Sequence, residues 1–135
     1  MGEMATLVKY NLPVKVIIIK NNALGQIKWE QMVLDANPEF GVDLQPIDFA
    51  KYAEAVGAAG FTIQDPKEAE GILRKALQHN GPAVVEAVVD KNEPPLPGQI
   101  KLEQALHFAE ALIRGEKYTK EIVKTIVEDK IREVI

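Results

Sequence analysis

Cysteine and serine are both missing from the 135 residues. Without cysteine there are no disulfides, no thiolate metal site and no thiol nucleophile. The compartment is thereby left open, with a reducing cytoplasmic setting as the default expectation. Without serine a Ser-His-Asp triad is excluded. Histidine is scarce: His79 and His107 stand far apart in the chain and make no metal cluster by themselves. His79 ends a helical stretch, where a dipole favours it, and His107 reads as helix packing. Positive charge is also short, with 16 Lys and Arg against 20 Asp and Glu and a net charge of -4. Nothing is left over to neutralise a phosphate backbone, so nucleic acid is not an expected partner. No apolar run is long enough to span a bilayer, and no signal-peptide pattern leads the chain. Glycine-rich phosphate loops of the P-loop or Rossmann type are absent too.

What is present is an ordinary globular composition, 47% hydrophobic and 27% charged, in a length that fits one domain with a real core. The organising stretch is Val14 to Glu30, VKVIIIKNNALGQIKWE. Its β-branched run, Val14 to Ile19, reads as a strand buried on both faces, as strands of parallel sheets are. Before it, Met4, Leu7 and Val8 have helical spacing that must stop by Pro13. After it, Gln26 to Leu34 is expected as a short helix with Ile27, Met32, Val33 and Leu34 on its apolar face. A loop from Asp35 to Pro46 follows. Asp48 should cap a helix over Phe49 to Val56, closed by Gly57. Phe61 to Gln64 is a short strand. Asp65-Pro66 opens a helix reaching about Gln78, with Ala69, Ile72, Leu73, Ala76 and Leu77 facing the sheet. Ala83 to Val89 is another apolar strand.

Strands alternating with helices imply an α/β fold, three layers deep, around a parallel sheet with right-handed crossovers. Three strands make that sheet thin, as though it were entered partway through. An apolar edge would then be left open to pair with another chain, and a homo-oligomer is expected. Residues 1 to 90 form the α/β part. Residues 91 to 135 form a helical extension, joined through the proline-rich stretch Asp90 to Gly98. In the extension, Leu102, Ala105, Leu106, Ala109 and Leu112 or Ile113 share one side of a first helix, from Leu102 to Ile113. Ile122, Val123, Ile126, Val127, Ile131 and Val134 form a stripe on a second, from Thr119 to Val134. Its charged residues alternate in sign rather than forming a cationic face. Packing on protein is therefore favoured over lipid contact.

Ligands in open α/β sheets sit beyond the carboxyl ends of the strands, and Asn21 and Asn22 stand at such an end. An Asn pair there can satisfy turn backbone groups. It can equally offer hard amide and carbonyl oxygens to Mg²⁺. Composition makes Trp29 core and Glu30 surface.

The stretch NLPVKVIIIKNNALGQIKWEQM closely resembles the second half of the thiamine diphosphate and Mg²⁺ motif of the pyruvate oxidase/acetolactate synthase family. That motif opens with Gly-Asp-Gly after one strand and closes with an Asn pair after the next. The tail GPAVVEAVVDKNEPPLPGQIKLEQALHFAEALIRG resembles the same group. The closing Asn pair of the family usually stands two residues before Leu-Gly, whereas here Ala23 alone separates Asn22 from Leu24-Gly25. Anchored on Leu24-Gly25, the resemblance makes Asn21 the metal ligand, with the Ala23 carbonyl as a second. Anchored on the letters it would make them Asn22 and Leu24. The first alignment keeps the spacing from Leu12-Pro13. On it, Asn22, Leu24 and Gly25 line the cofactor, and Gln26, Ile27 and Glu30 face cofactor and substrate. The resemblance further implies pyruvate or another 2-keto acid as substrate, and FAD in the oxidases. It places the Gly-Asp-Gly half, the pyrimidine-binding domain and the FAD domain outside this chain, which by itself should then be inactive. A split subunit completed by a partner chain, or a non-catalytic interaction domain on the same scaffold, are the other readings.

Overall fold

The computed structural model describes residues 2–93 and 102–134, with side chains of the last helix described as far as Val127. Part of the expected proline-rich linker (94–98) and the side chains of Ile131 and Val134 lie outside the described residues. Two compact units arise, Met1–Asn21 with Pro46–Val89 and Asn22–Gln45 with Asp90–Ile135. Residues 22–45 thus group with the helical extension rather than with the sheet.

The first unit is built on three parallel strands in the order β1-β3-β2: β1 (Lys15–Lys20), β2 (Ala59–Ile63) and β3 (Ala83–Val88). Ile18, Glu86 and Thr62 share one register line across the sheet. Because side chains alternate along a strand, Val16, Ile18 and Lys20 share a face with Val84 and Glu86. Helices α1 (Gly2–Lys9) and α3 (Phe49–Ala55) cover that face, where Met4, Ala53 and Val84 are buried among Leu7, Val16, Ile18, Phe49 and Tyr52. Helix α4 (Ala69–Gln78) covers the other face, burying Ile63, Ala76 and Val85 against Phe61, Ile72 and Leu73. The arrangement is the three-layer α/β/α expected from the alternation of strands and helices.

One expectation fails here. β1 is an edge strand and is not buried on both faces: Ile17 and Ile19 are 52% and 67% exposed. They share the sheet face that α4 covers, and α4 packs on β2 and β3. The β-branched run therefore reports a strand correctly but overstates its burial, since composition carries no information on position within the sheet. Leu77, in the last turn of α4, is likewise exposed rather than set against the sheet.

Local start and stop signals act as their chemistry requires. The Asp48 carboxylate accepts from the Lys51 backbone N–H at 2.8 Å and caps α3. Gly57 takes a positive φ of 89° after its end. Asp65 caps a single 3₁₀ turn, Pro66–Glu68, which leads into α4. The Lys51 side chain, donating to Asp48, and the cap bond hold the Asp48 carboxyl below its ordinary value. A carboxyl depressed on folding stabilises fully above its unfolded pKa, and that contribution is lost as pH falls through the folded value. Asp48→Ala is therefore expected to lower Tm at neutral pH. The gap from wild type should narrow on acidification below the aspartate range; a gap independent of pH would show that the cap charge contributes nothing.

The second unit contains α2 (Gly25–Val33), α5 (Leu102–Ile113) and α6 (Thr119–Val134). Trp29, Met32 and Val33 from α2 are buried with Ala111 and Ile122, flanked by Phe108, Leu112, Tyr118 and Ile126. Trp29 is core, as composition indicates, but its indole N–H finds no acceptor among the described residues. Of the expected apolar stripe of α5, Leu112 packs on the core whereas Leu102, Leu106 and Ile113 are exposed, and Phe108 and Ala111 pack there with it. Both sides of α5 are apolar, so periodicity could not choose between them. On α2, Ile27 and Leu34 are exposed too, contrary to the expected face. Among the described residues no helix is long and apolar enough to cross a membrane.

Candidate functional site

In the first unit the sheet face under α3 turns polar toward the carboxyl ends of its strands. Glu86 lies in the middle of the central strand with only 3% of its surface exposed. A carboxylate so placed is costly unless donors surround it. Three do: the Lys20 ammonium at 3.3 Å, the Phe49 backbone N–H at 2.9 Å and the Thr62 hydroxyl at 3.2 Å. One acid thus joins β1, β2 and the first turn of α3. The Lys20 carbonyl also accepts from the Val89 N–H at 3.0 Å. Lys20 is therefore held by backbone and side chain together, and Asn21 follows it directly.

Glu86 also borders a cleft of about 410 Å³ lined by Asp48, Lys51, Glu54, Thr62, Gln64 and Glu68 among others. Four acids against one lysine make this cleft repellent to a diphosphate.

The chain enters the second unit at Asn22, whose φ of 54° is left-handed, a conformation that Asn tolerates better than most residues. Ala23 then forms an antiparallel bridge with Asp43. Around it the Leu24 N–H donates to the Val42 carbonyl at 2.8 Å, and the Leu44 N–H to the Asn22 carbonyl at 2.9 Å. Ala23 is buried and Gly25 opens α2. Gln26, Ile27 and Glu30 lie on the exposed side of α2. The Gln26 amide donates to the Glu30 carboxylate at 3.2 Å, one turn on.

On the opposite side of α2, Lys28 is fully buried. Its ammonium pairs with Glu39 at 3.0 Å and donates to the Asn92 side-chain oxygen at 2.9 Å. The backbone N–H of Glu39 in turn donates to Glu116 at 2.7 Å. The segment that pairs with residues 22–24 is thereby tied to α2 and to the turn before α6. Nearby, the Lys117 and Lys91 ammoniums lie over the Tyr118 ring, 4.7 and 3.2 Å from its centroid, and these two cations hold the phenol below its ordinary pKa.

Sequence reading named neither Glu86 nor Lys28. An acid inside an apolar strand and a lysine on the helix face bearing Trp29 and Met32 were the available signals, since both break the local pattern. No group of three or more His, Asp or Glu residues able to hold a metal occurs among the described residues. The hard oxygens of the Asn21 amide and the Ala23 carbonyl are nonetheless donors of the kind Mg²⁺ takes. A carboxylate partner would have to be added to them.

A parallel sheet with helices on both faces places the first unit in the open-sheet α/β class, whose ligands sit beyond the carboxyl ends of the strands. The profile described as "Thiamine pyrophosphate enzyme, C-terminal TPP binding domain" matches residues 1–87, and the chain belongs to that family. A Bacillus subtilis protein named as thiamine pyrophosphate-containing is 38% identical over 115 residues, 85% of this chain and 20% of its own length. The acetolactate synthase isozyme 3 large subunit of Escherichia coli is 34% identical over 103 residues, 73% of this chain and 18% of its own. Pyruvate oxidase of Lactiplantibacillus plantarum is 30% identical over 111 residues, 81% of this chain and 18% of its own. The chain spans about a fifth of the length of these relatives.

Proposed function

We propose that this chain supplies the diphosphate-binding part of a thiamine diphosphate- and Mg²⁺-dependent 2-keto acid enzyme, of the pyruvate oxidase or acetolactate synthase kind, acting on pyruvate in the cytoplasm. The observation that carries the reading is the direct passage of β1 into Asn21 within the matched residues 1–87. The Asn21 amide oxygen and the Ala23 carbonyl would hold Mg²⁺. Asn22, Leu24 and Gly25 would line the cofactor with backbone and a small side chain. Gln26, Ile27 and Glu30, on the exposed side of α2, would face cofactor and substrate. Bound thiamine diphosphate supplies the electron sink for decarboxylation. The residues of this chain bind and orient it, and in an oxidase FAD would take the electrons.

The sequence has no Gly-Asp-Gly, so the carboxylate ligand of the motif has to come from elsewhere. The isolated chain is accordingly read as inactive. Calorimetry with Mg²⁺ should show no binding of thiamine diphosphate tighter than about 1 mM, or roughly -4 kcal/mol. Micromolar binding would refute the partial-site reading. The metal ligands are tested separately with Mn²⁺ as a paramagnetic stand-in. Broadening of amide resonances should concentrate on residues 21–23 and disappear in Asn21→Ala; broadening that survives that substitution would remove Asn21 from the site.

The outer edge of β1 adds a proposal about assembly. Among the described residues β1 is an edge strand, with Ile17 and Ile19 exposed on one of its faces, and such an edge is a template for another strand. Light scattering should find a dimer or larger species. A stable monomer at concentrations near 10 µM, where interfaces of ordinary affinity are filled, would exclude self-association through this edge.

A further inference from the structure

We propose that Glu86 is the positioning residue of the metal-binding end of the sheet, acting on Asn21 through Lys20. This rests on the reading of Asn21 as the Mg²⁺ ligand and extends it to a residue two strands of sequence away. Glu86 touches neither metal nor cofactor in this role.

A strand end is free to splay once its ladder stops, and among the described residues β1 has β3 as its sheet neighbour on one side only. Two contacts oppose that freedom at its last residue. The Val89 N–H holds the Lys20 carbonyl at 3.0 Å, and Glu86 holds the Lys20 ammonium at 3.3 Å. The lysine side chain is 13% exposed and the glutamate side chain 5%, so the pair is screened little by solvent. Glu86 is itself fixed from two other directions, by the Phe49 N–H and the Thr62 hydroxyl. Its position is therefore set by β2 and α3 as well as by its own strand. The peptide that presents Asn21 is referred, through one carboxylate, to three elements of the unit.

An apolar residue at 86 would fit the surrounding core with less desolvation, since a buried ion pair is seldom the most stabilising solution. Its presence beside the residue that precedes Asn21 is what a positioning role explains. Groups that orient a metal ligand from behind typically change metal affinity by about 10–100-fold when altered. Glu86 acts at one further remove, so the lower end of that range applies.

The test uses the Mn²⁺ titration on the whole chain, reading the broadening of residues 21–23. Five variants enter it: Asn21→Ala, Glu86→Gln, Glu86→Asp, Lys20→Met and the double variant Lys20→Met/Glu86→Gln. The double variant removes both charges at once and leaves no buried charge unpaired, which keeps the measurement available if a single variant fails to fold. Glu86→Gln, Lys20→Met and the double variant should each raise the Mn²⁺ concentration at half-broadening about tenfold. The amide spectrum away from residues 20–21, 49, 62 and 86 should stay that of the wild type. Glu86→Asp, which retains the charge, should recover part of the affinity. If Asn21→Ala abolishes the broadening while the other folded variants titrate like wild type, Glu86 is structural only and the inference is overturned, the metal reading standing. If wild type shows no broadening at residues 21–23, the metal reading itself fails and takes the inference with it.

Discussion

Replacing Lys28 by alanine is expected to cost about 3–5 kcal/mol of stability, the range for breaking a buried ion pair by removing one partner. The ammonium has no solvent access and the Glu39 side chain little, at 0% and 5% exposure. Deleting the lysine strands the Glu39 carboxylate in a low-dielectric setting and leaves the Asn92 oxygen without its donor. It also opens a cavity where the four-carbon stem was. Lys28→Met fills the cavity but still strands the acid, so it should remain costly. Lys28→Met/Glu39→Gln removes both charges and should recover most of the loss, because the pair contributes less than its desolvation demands. Urea unfolding measures each step. A loss below about 1 kcal/mol for Lys28→Ala is the figure of a solvated surface pair, and would mean that the buried pair does not exist in solution. The same substitution should loosen residues 39–44, since Glu39 ties that segment to α2. Faster hydrogen exchange at the Leu44 amide, which donates to Asn22, would report it.

Gly60→Ala is the second large effect, expected at about 3 kcal/mol, the upper part of the usual overpacking range. A Cβ at residue 60 would stand 2.7 Å from the Ala50 carbonyl carbon and 2.9 Å from its Cα, with the carbonyl oxygen closer still. These are backbone atoms of α3, so no rotamer change relieves the contact. Either α3 lifts from β2 or the strand shifts. The backbone at Gly60 is not left-handed, so space and not conformation is the constraint. Gly71→Ala supplies the control with opposite sign. Nothing lies within 4 Å of a Cβ there, and alanine in a helix interior is favoured by about 1 kcal/mol. If Gly60→Ala melts with wild type, the close approach of α3 to β2 is wrong.

Much of this molecule was readable from local chemistry. Asp48, Gly57 and Asp65-Pro66 announce helix ends, because a cap needs only the residues within one turn of it. The β-branched run before Asn21 announces a strand, and its parallel neighbours follow from alternation with helices. Less was readable about what each element faces. Ile17 and Ile19 look like core from composition and lie exposed because β1 is at the edge. The packed side of α5 could not be chosen, since the helix is apolar on two sides. Glu86 and Lys28 were visible only as residues that do not fit their surroundings.

By itself the sequence determined the element order, the caps and the Asn pair at a strand end, together with a resemblance that the match over residues 1–87 bears out. Tertiary structure alone decided that Lys20 meets Glu86, 66 residues on, and that Lys28 meets Asn92, 64 residues on. The division has a physical cause. Backbone propensities and caps act within a few residues of chain, whereas a buried charge finds its partner only after strands and helices have packed.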